Sequence, residues 1–250
     1  NEDGNSEKQR RLSRLFDEHT GRSVTVPMDH GILGVPEGLE DPLESLRSFV
    51  ELKVDSLLVN FGVARLARPL LREAEHRPAL VMAVDFNLRW PEWKTPLEDG
   101  DVILGHCIAA TVEQALEYGA DAVKVYFALG LEPSVQLEVF RNICELISEA
   151  DRQDMPVMIE PVTDGRHIPP DRKRDPRIIE DGCRFCVELG ADIIKAPFFG
   201  DTDSFSAVCE RAHVPVLMLG GVKQKNVRPI FQMARDGVDC GAAGTVFGRN

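Results

Sequence analysis

The stretch Gly119-Ala-Asp-Ala-Val-Lys-Val125 decides the fold, because it joins the end of a helix to the start of a buried strand. Glycine is typical of a helix end, and the apolar residues after the aspartate are typical of a strand. The pattern returns as Gly190-Ala-Asp-Ile-Ile-Lys-Ala196, which places Lys195 71 residues after Lys124. Two copies of one helix-to-strand junction indicate a chain built from repeated βα units.

Short apolar runs and longer amphipathic runs alternate along the rest of the chain. The predicted strands are Ser23–Asp29, Ser56–Phe61, Ala79–Phe86, Ala122–Phe127, Val157–Val162, Ile193–Phe198, Val216–Gly220 and Cys240–Phe247. The predicted helices are Ser6–Glu18, Leu43–Lys53, Arg65–Glu75, Val112–Tyr118, Ser134–Arg152, Pro176–Leu189, Asp203–Ala212 and Asn226–Arg235. Eight strands over 250 residues favour an α/β fold, a (β/α)8 TIM barrel with an extra N-terminal helix, over an open doubly wound sheet with fewer strands.

The domain organisation follows from the position of the last strand. The eighth predicted strand ends at Phe247, three residues before Asn250, whereas a barrel places one more helix after that strand. We therefore expect residues 1–250 to form a single barrel domain whose last helix is absent from this chain.

The charge of the chain excludes some classes of partner. With 41 acidic and 29 basic residues the formal net charge is −12, the wrong sign for a surface that follows nucleic acid or anionic lipid. No apolar run approaches the ~20 residues that cross a bilayer, and segment 1–11 has no signal-peptide core. We expect a cytoplasmic protein with no nucleic-acid or membrane partner, in which an anionic ligand meets a local positive pocket.

The six cysteines are too few for a disulfide scaffold and are predicted to be reduced core thiols. Cys183 and Cys186 have the spacing of a metal or redox site, but they lie in a predicted helix and no second pair completes four ligands. The sequence therefore predicts no metal site and no cofactor.

Lys124 and Lys195 are the most informative residues, because a buried ammonium must find a partner or lose its proton. They lie in the fourth and sixth predicted strands, near neighbours around a barrel, and alternation allows both to point inward. Two amines in one pocket repel each other as cations, so one releases its proton more readily and can attack a carbonyl. The pair indicates Schiff-base catalysis. A structural ion pair is the alternative for a single strand lysine.

We expect two carboxylates to lie at the same level of the barrel as the two lysines. Asp29 ends the first predicted strand and Glu160 lies in the fifth, and imine chemistry needs groups that take and return protons. Salt bridges to the two lysines are the structural alternative, and both roles are compatible. Asp85 is a further acidic candidate, with a structural role as its alternative, and Tyr126 is a reserve acid.

Glycine clusters after the last two predicted strands indicate a phosphate site, because glycine lets a phosphate approach backbone N–H groups. The candidate residues are Gly220, Gly221, Gly244, Gly248 and Arg249, with Lys223 as a second charge. Tight turns, which also require glycine, are the alternative.

Loops at the mouth of the predicted barrel supply further candidates. His30 follows Asp29 directly and is predicted to orient a substrate hydroxyl or to stabilise the turn. The segments 87–107 and 163–175 have no strong pattern and follow the third and fifth predicted strands, so they are candidate lids. Arg166 and His167, in the second segment, are candidates for contact with another anionic group of a substrate.

Taken together, these residues resemble the DeoC/LacD/FbaB-type class I aldolases, especially the archaeal-type fructose-bisphosphate aldolases. The resemblance is carried by Met28-Asp-His-Gly31, the Gly-Ala-Asp-Ile-Ile-Lys195 junction, Gly220-Gly221 and Gly244-Thr-Val-Phe-Gly-Arg-Asn250. It implies Lys195 as the Schiff-base lysine, Asp29 as a proton-handling carboxylate, a substrate phosphate at the glycine clusters with Arg249, no metal, and a homo-oligomer.

The sequence departs from the archaeal-type pattern at two places. On the fifth strand, Met158 and Glu160 stand where that group presents a tyrosine. A glutamate there, together with Lys124, is more similar to the tagatose-bisphosphate and sulfosugar-phosphate aldolases. Before the paired glycines, Leu219 replaces a serine.

The leading hypothesis is a class I aldolase that cleaves or forms a phosphorylated ketose. In it Lys195 attacks the carbonyl, Asp29 and Glu160 move protons, and Lys124 keeps Lys195 deprotonated.

Two other functions remain open. One is an acyl or transaldol-type transferase of the same superfamily, similar to the autoinducer-processing thiolase or the aminoheptulosonate synthase. The other is a non-catalytic regulator that binds a sugar phosphate.

Overall fold

The computed structural model describes residues 6–32, 34–90, 102–198, 200–221 and 223–248. Within these ranges the strands are β1 (Ser23–Pro27), β2 (Ser56–Asn60), β3 (Ala79–Ala83), β4 (Asp85–Trp90), β5 (Val102–Ile108), β6 (Ala122–Ala128), β7 (Val157–Val162), β8 (Ile193–Pro197), β9 (Val216–Leu219) and β10 (Gly244–Val246). The helices are α1 (Glu7–Ser13), α2 (Pro42–Glu51), α3 (Phe61–Glu73), α4 (Val112–Tyr118), α5 (Pro133–Arg152), α6 (Pro176–Leu189), α7 (Thr202–Ala212) and α8 (Val227–Asp239), and Asp29–Ile32 and Pro170–Arg172 form 3₁₀ turns.

The predicted barrel is confirmed. Eight parallel strands close in the order β1-β2-β3-β6-β7-β8-β9-β10, with β10 hydrogen-bonded to β1. Helix starts are fixed locally: the side chain of Thr111 accepts from the backbone of Gln114 at the start of α4, and Asp175 caps α6 ahead of Pro176. Within the described ranges, no helix combines the length and the apolar character that a membrane crossing needs.

The predicted N-terminal helix exists but is shorter than Ser6–Glu18. It ends at Ser13, and a tight turn then places Leu15 in the interior. There Leu15 is fully buried against the apolar residues at the amino-terminal end of the barrel. The two Gly-Ala-Asp junctions face this helix. Asp121 accepts from the Leu80 amide and pairs with Arg14 at 2.8 Å, and Asp192 accepts from the Val157 amide and pairs with Lys8 at 2.8 Å. The repeated aspartates therefore close the amino-terminal end of the barrel.

The third predicted strand, Ala79–Phe86, is wrong in one respect. The barrel strand ends at Ala83, and from Asp85 the chain forms β4, which pairs antiparallel with β5. The segment 87–107 is consequently a hairpin and not an unpatterned loop, with residues 91–101 outside the described ranges. The prediction failed because β4 alternates polar and apolar residues over only six positions.

The hairpin packs on the second long segment, 163–175. The amide of Ile103 donates to the backbone oxygen of Asp164 at 2.9 Å, and Arg89 pairs with the Asp164 carboxylate at 3.0 Å. Both segments follow the carboxyl ends of barrel strands, where barrel enzymes bind their substrates.

Two other strand predictions are too long. The first strand ends at Pro27, so Asp29 opens a 3₁₀ turn instead of ending the strand. The eighth strand is Gly244–Val246 and not Cys240–Phe247, because α8 continues to Asp239 and a turn at Gly241, with φ +102°, separates helix from strand.

Candidate active site

Lys124 and Lys195 both point into the barrel. Each follows an interior residue by two positions along its strand, Ala122 on β6 and Ile193 on β8, and successive side chains of a strand alternate between faces. Lys124 is fully buried and Lys195 is 5% exposed. The structure therefore brings the two predicted amines together above the apolar interior.

Glu160, on β7 between the strands of the two lysines, contacts both amines. Its Oε2 atom lies 2.9 Å from Nζ of Lys124 and 2.9 Å from Nζ of Lys195. Asp29 is also buried, with Oδ2 3.7 Å from Nζ of Lys124. Two carboxylates and two ammonium groups thus balance their charges, which is the condition for burying them at all.

The backbone next to Asp29 is held in place by a neighbouring strand. Asn60, the last residue of β2, donates from Nδ2 to the backbone oxygen of Asp29 at 2.7 Å. The Nδ1 atom of His30 lies 3.7 Å from the Asp29 carboxylate, at the entrance to the site. Of the roles predicted for His30, its position fits contact with a ligand above Asp29.

The charges of this cluster shift its proton affinities. Burial alone would raise the pKa of Asp29 and of Glu160, but the two lysines outweigh it and hold both carboxyl groups below their ordinary values. Burial would lower the pKa of Lys195, and attraction to Glu160 and Asp29 raises it above the ordinary value instead. In the resting site the attraction of the two carboxylates to Lys195 therefore outweighs the repulsion from Lys124, which lowers the pKa of Lys195, and the expectation that Lys124 frees the Lys195 amine stays a prediction.

Tyr126, the reserve acid, follows Lys124 by two residues on β6. Nζ of Lys124 lies over the Tyr126 ring, 2.8 Å from its centre. Burial, with the charges of Glu160 and Asp29, raises the pKa of the phenol well above its ordinary value. The phenol therefore stays protonated at neutral pH and remains available as a hydrogen-bond donor.

A small pocket lies beside this cluster, and its lining includes Asp29, Ile32, Asn60, Asp85, Asn87 and Tyr126. Asp85 accepts from the Tyr126 amide at 2.9 Å and contacts Nε2 of His106 at 3.2 Å. Sequence reasoning missed Asn87 and His106, which sit in the hairpin. The polar alternation Asp85-Phe-Asn87 after an apolar strand is the signal that indicates Asn87, whereas no local pattern indicates His106.

The predicted phosphate residues divide into two groups. A Cβ atom on Gly244 would lie 2.0 Å from the backbone oxygen of Ser23, and one on Gly248 would lie 2.3 Å from that of Pro27. These two glycines therefore allow close packing of the last strand on β1, the structural role of glycine in a tight approach. Arg249 lies outside the described residues.

The paired glycines after β9 differ from each other. The amide of Gly220 donates to Val246 at 3.3 Å, whereas Gly221 is exposed, has φ +67° and has open space around it. Lys223 pairs with Glu37 at 2.8 Å, so its charge is balanced by the loop before α2. Gly221 is the residue of this group whose backbone is open to a ligand.

The remaining candidates lie outside the cluster. Nε2 of His167 is 3.2 Å from Glu132 and Nη1 of Arg166 is 3.8 Å from it, at the surface. Cys183 and Cys186 are buried in α6, and burial raises the pKa of the Cys183 thiol to about 12. Within the described ranges, no three His, Cys, Asp or Glu side chains form a group that could hold a metal ion.

Comparisons with known proteins agree with this geometry. The model of the DeoC/LacD family aldolases matches residues 23–250. An uncharacterized aldolase of Saccharolobus solfataricus is 28% identical over 96% of this chain and 86% of its own length. The 2-amino-3,7-dideoxy-D-threo-hept-6-ulosonate synthase of Halobacterium salinarum is 30% identical over 97% of this chain and 84% of its own. A solved Schiff-base-forming fructose-1,6-bisphosphate aldolase superposes with a TM-score of 0.77 at 25% identity, covering 98% of this chain and 92% of the other.

Proposed function

This chain belongs to the DeoC/LacD family of aldolases, and on that premise we propose that it is a class I aldolase that reversibly cleaves a phosphorylated ketose, such as a ketose bisphosphate or a related sugar phosphate, through a Schiff base on Lys195. The observation that carries the proposal is the buried Lys195 amine 2.9 Å from Glu160, at the carboxyl end of the barrel. A lysine amine forms Schiff bases with carbonyl substrates, and such a base needs a group nearby to accept its proton.

The first steps follow from the resting charges. Lys195 is held as an ammonium, and Glu160 is the nearest carboxylate, so Glu160 takes one proton from Nζ as the substrate carbonyl arrives. The neutral amine then attacks the carbonyl carbon and forms a carbinolamine. The carbinolamine loses water to give the iminium ion, and Glu160 is the group that returns the proton to the departing hydroxyl.

Cleavage then uses the iminium as an electron sink. A base takes the proton of the substrate hydroxyl, the carbon–carbon bond breaks, an aldehyde leaves, and the electron pair moves to the iminium nitrogen to give an enamine. We assign the base to Asp29, whose lowered pKa keeps it ionised. Protonation of the enamine carbon and hydrolysis of the imine release the second product and restore Lys195.

Lys124 has a supporting role in this scheme. Its ammonium contacts Glu160 and Asp29 but is fully buried beneath them. Its charge stabilises both carboxylates in their ionised form between proton transfers. The substrate phosphate is placed at the ends of β9 and β10, where Gly221 exposes its backbone and Arg249 follows in sequence.

Trapping by reduction tests the proposal. The protein is incubated with dihydroxyacetone phosphate and sodium borohydride, and the adduct is located by intact-mass measurement and peptide mapping. We expect one adduct on Lys195, its loss in Lys195→Arg, and its retention in Lys225→Arg, a matched change at an exposed lysine. An adduct on Lys124 reverses the roles of the two amines. The absence of any adduct with ketose phosphates overturns the proposal.

The aminoheptulosonate synthase supports a second candidate, because it is 30% identical over nearly the whole chain. In this alternative the same imine chemistry joins or transfers a carbon fragment in the synthetic direction. Product analysis by mass spectrometry separates the two: an aldolase releases a free aldehyde from a ketose phosphate, whereas a transferase turns over only when an acceptor is present.

The proposal includes a cytoplasmic homo-oligomer, as the family resemblance implies. Light scattering coupled to size-exclusion chromatography tests the assembly: one species with the 27.8 kDa mass of the chain would overturn this part of the proposal.

A further inference from the structure

Asp85 and Asn87 form the wall of the pocket that lies opposite the expected phosphate site. This wall holds buried polar atoms that the proposed chemistry does not use. Asp85 is 4% exposed and Asn87 is 3% exposed, and both line the pocket. Oδ1 of Asp85 and Oδ1 of Asn87 are buried and have no hydrogen-bond partner among the residues that the structure describes. Both atoms are acceptors, and buried acceptors in folded proteins are normally satisfied.

The other carboxylate oxygen of Asp85 is fully used. Oδ2 accepts from the Tyr126 amide at 2.9 Å, contacts Nε2 of His106 at 3.2 Å and lies 3.4 Å from Nδ2 of Asn87. These contacts orient the carboxylate, whereas Oδ1 accepts no hydrogen bond from the described part of the chain. The orientation is therefore fixed by the fold before any ligand binds.

His106 contacts the Asp85 carboxylate through one ring nitrogen and Asn142 through the other. Its Nε2 lies 3.2 Å from Oδ2 of Asp85, and its Nδ1 lies 3.3 Å from Nδ2 of Asn142. None of the described residues that line the pocket is Lys, Arg or His. The wall therefore presents one negative charge and two acceptors.

The position of the wall relates it to the substrate. In the barrel order β1-β2-β3-β6-β7-β8-β9-β10, β3 and β9 are four strands apart in either direction and so lie diametrically opposite. Asp85 and Asn87 follow β3, and Gly221 follows β9. A substrate with its phosphate at β9 and β10 and its carbonyl at Lys195 on β8 therefore extends its other half toward Asp85 and Asn87.

We propose that Asp85 and Asn87 form a specificity wall that binds a hydroxyl or ammonium group on the aldehyde half of the substrate and rejects a phosphate there. This inference rests on the proposed function and narrows it to a substrate that carries phosphate on the ketone half alone. In the synthetic direction, the enamine carbon bonds to the aldehyde carbon, and the carbonyl electron pair passes to oxygen, which takes a proton. During this step Asp85 and Asn87 accept hydrogen bonds from the hydroxyl or ammonium group of the aldehyde, and neither residue undergoes a covalent change.

The test compares aldehydes in the synthetic direction with dihydroxyacetone phosphate as the partner. The probes are D-glyceraldehyde, 3-aminopropanal, propanal and D-glyceraldehyde 3-phosphate. We expect kcat/KM for D-glyceraldehyde or 3-aminopropanal to exceed that for propanal and for the phosphorylated aldehyde at least tenfold. A preference for 3-aminopropanal identifies ammonium as the preferred donor, and a preference for D-glyceraldehyde identifies hydroxyl. Either result supports the wall.

Two variants connect the preference to the wall. In Asp85→Asn the amide oxygen must take the place of Oδ2 beside Tyr126 and His106, so the amide nitrogen takes the place of Oδ1 and an acceptor becomes a donor. We expect the preference for D-glyceraldehyde over its 3-phosphate to fall at least tenfold, with no change in Asp171→Asn, the same exchange at an exposed position. Asn87→Leu removes the other acceptor, and it should reduce the preference for D-glyceraldehyde over propanal even if Asp85→Asn fails to fold.

The outcomes separate this inference from the proposed function. The absence of a borohydride adduct on either lysine with dihydroxyacetone phosphate or other ketose phosphates overturns both. The wall alone is overturned by a different result. In that result Lys195 forms the adduct, but the unmodified protein shows the same kcat/KM for propanal or D-glyceraldehyde 3-phosphate as for D-glyceraldehyde and 3-aminopropanal. Such a result would mean that solvent satisfies the two acceptors.

Discussion

Glu160 Oε2 lies 2.9 Å from Nζ of Lys195 in the interior of the barrel, and both side chains are more than nine-tenths buried. The same oxygen lies 2.9 Å from Lys124. One carboxylate oxygen therefore contacts both buried amines.

The stability of the protein should depend on this carboxylate. Glu160→Gln leaves two buried amines without their shared partner, and the loss of one member of a buried pair costs about 3 kcal/mol. We expect the free energy of unfolding at pH 7 to fall by that amount. The control Glu188→Gln, in an exposed pair with Arg184, should cost less than about 0.5 kcal/mol.

The pH dependence of that difference has a defined sign. The folded pKa of Glu160 is lowered, so its ionisation stabilises the protein above its ordinary pKa, and this contribution disappears as the pH falls through the folded value. Urea titrations should therefore show the gap between Glu160→Gln and the unmodified protein closing below about pH 4. A gap that stays constant from pH 7 to pH 3 would contradict the assignment of the charge to Glu160.

Imine formation should respond to pH in a higher range. Attraction to Glu160 raises the pKa of Lys195, so the fraction of free amine and the rate of borohydride trapping should rise with pH through pH 9 in the unmodified protein. In Glu160→Gln the pKa of Lys195 falls, and the rising limb should shift to lower pH. The rate of adduct formation at saturating dihydroxyacetone phosphate measures this shift, and an unmoved limb would show that Glu160 does not set the proton affinity of Lys195.

Leu15 should contribute strongly to stability, because it fills the amino-terminal end of the barrel and is fully buried. Leu15→Ala should lower the free energy of unfolding by about 2–5 kcal/mol, the range for a buried leucine. Leu52→Ala, at a leucine that is 72% exposed, is the matched control and should have little effect. Equal losses in the two variants would show that α1 and the turn after it do not close the barrel in solution.

Gly244 should be required for closure of the barrel. A Cβ atom there would lie 2.0 Å from the Ser23 oxygen, and the residue has φ +149°. Gly244→Ala should therefore destabilise the protein by about 3 kcal/mol. Gly62→Ala, in a helix with open space around the new methyl group, should be neutral or slightly stabilising. Thermal unfolding of both variants checks the pair, and a Gly244→Ala protein of normal stability would leave phosphate binding as the better explanation of this glycine.

The cysteines should differ in reactivity. Cys107 and Cys144 are exposed, whereas burial raises the pKa of Cys183 to about 12 and that of Cys186 well above its ordinary value. Iodoacetamide at pH 8, followed by peptide mapping, should label Cys107 and Cys144 first and leave Cys183 and Cys186 unmodified until guanidinium is added. Rapid labelling of Cys183, or a disulfide to Cys186, would contradict the burial of α6.

The sequence by itself determined the fold and the chemical character of the site. Repeated Gly-Ala-Asp junctions and nearly continuous apolar strands allow one economical arrangement, a closed parallel barrel, because each strand must be covered by helices outside and packed side chains inside. A lysine within such a strand has to be paired or reactive, so Lys124, Lys195, Asp29 and Glu160 were all identified from local pattern alone.

The tertiary structure decided which of these four side chains contact each other and in which direction those contacts shift their pKa values. The balance between burial and attraction that holds Lys195 as an ammonium depends on distances between β6, β7 and β8, which no local pattern contains. The same holds for Gly244 and Gly248, whose close approach to β1 joins segments more than 200 residues apart. His106 came into view only with the hairpin, because the pairing of β4 with β5 brings its imidazole to the Asp85 carboxylate.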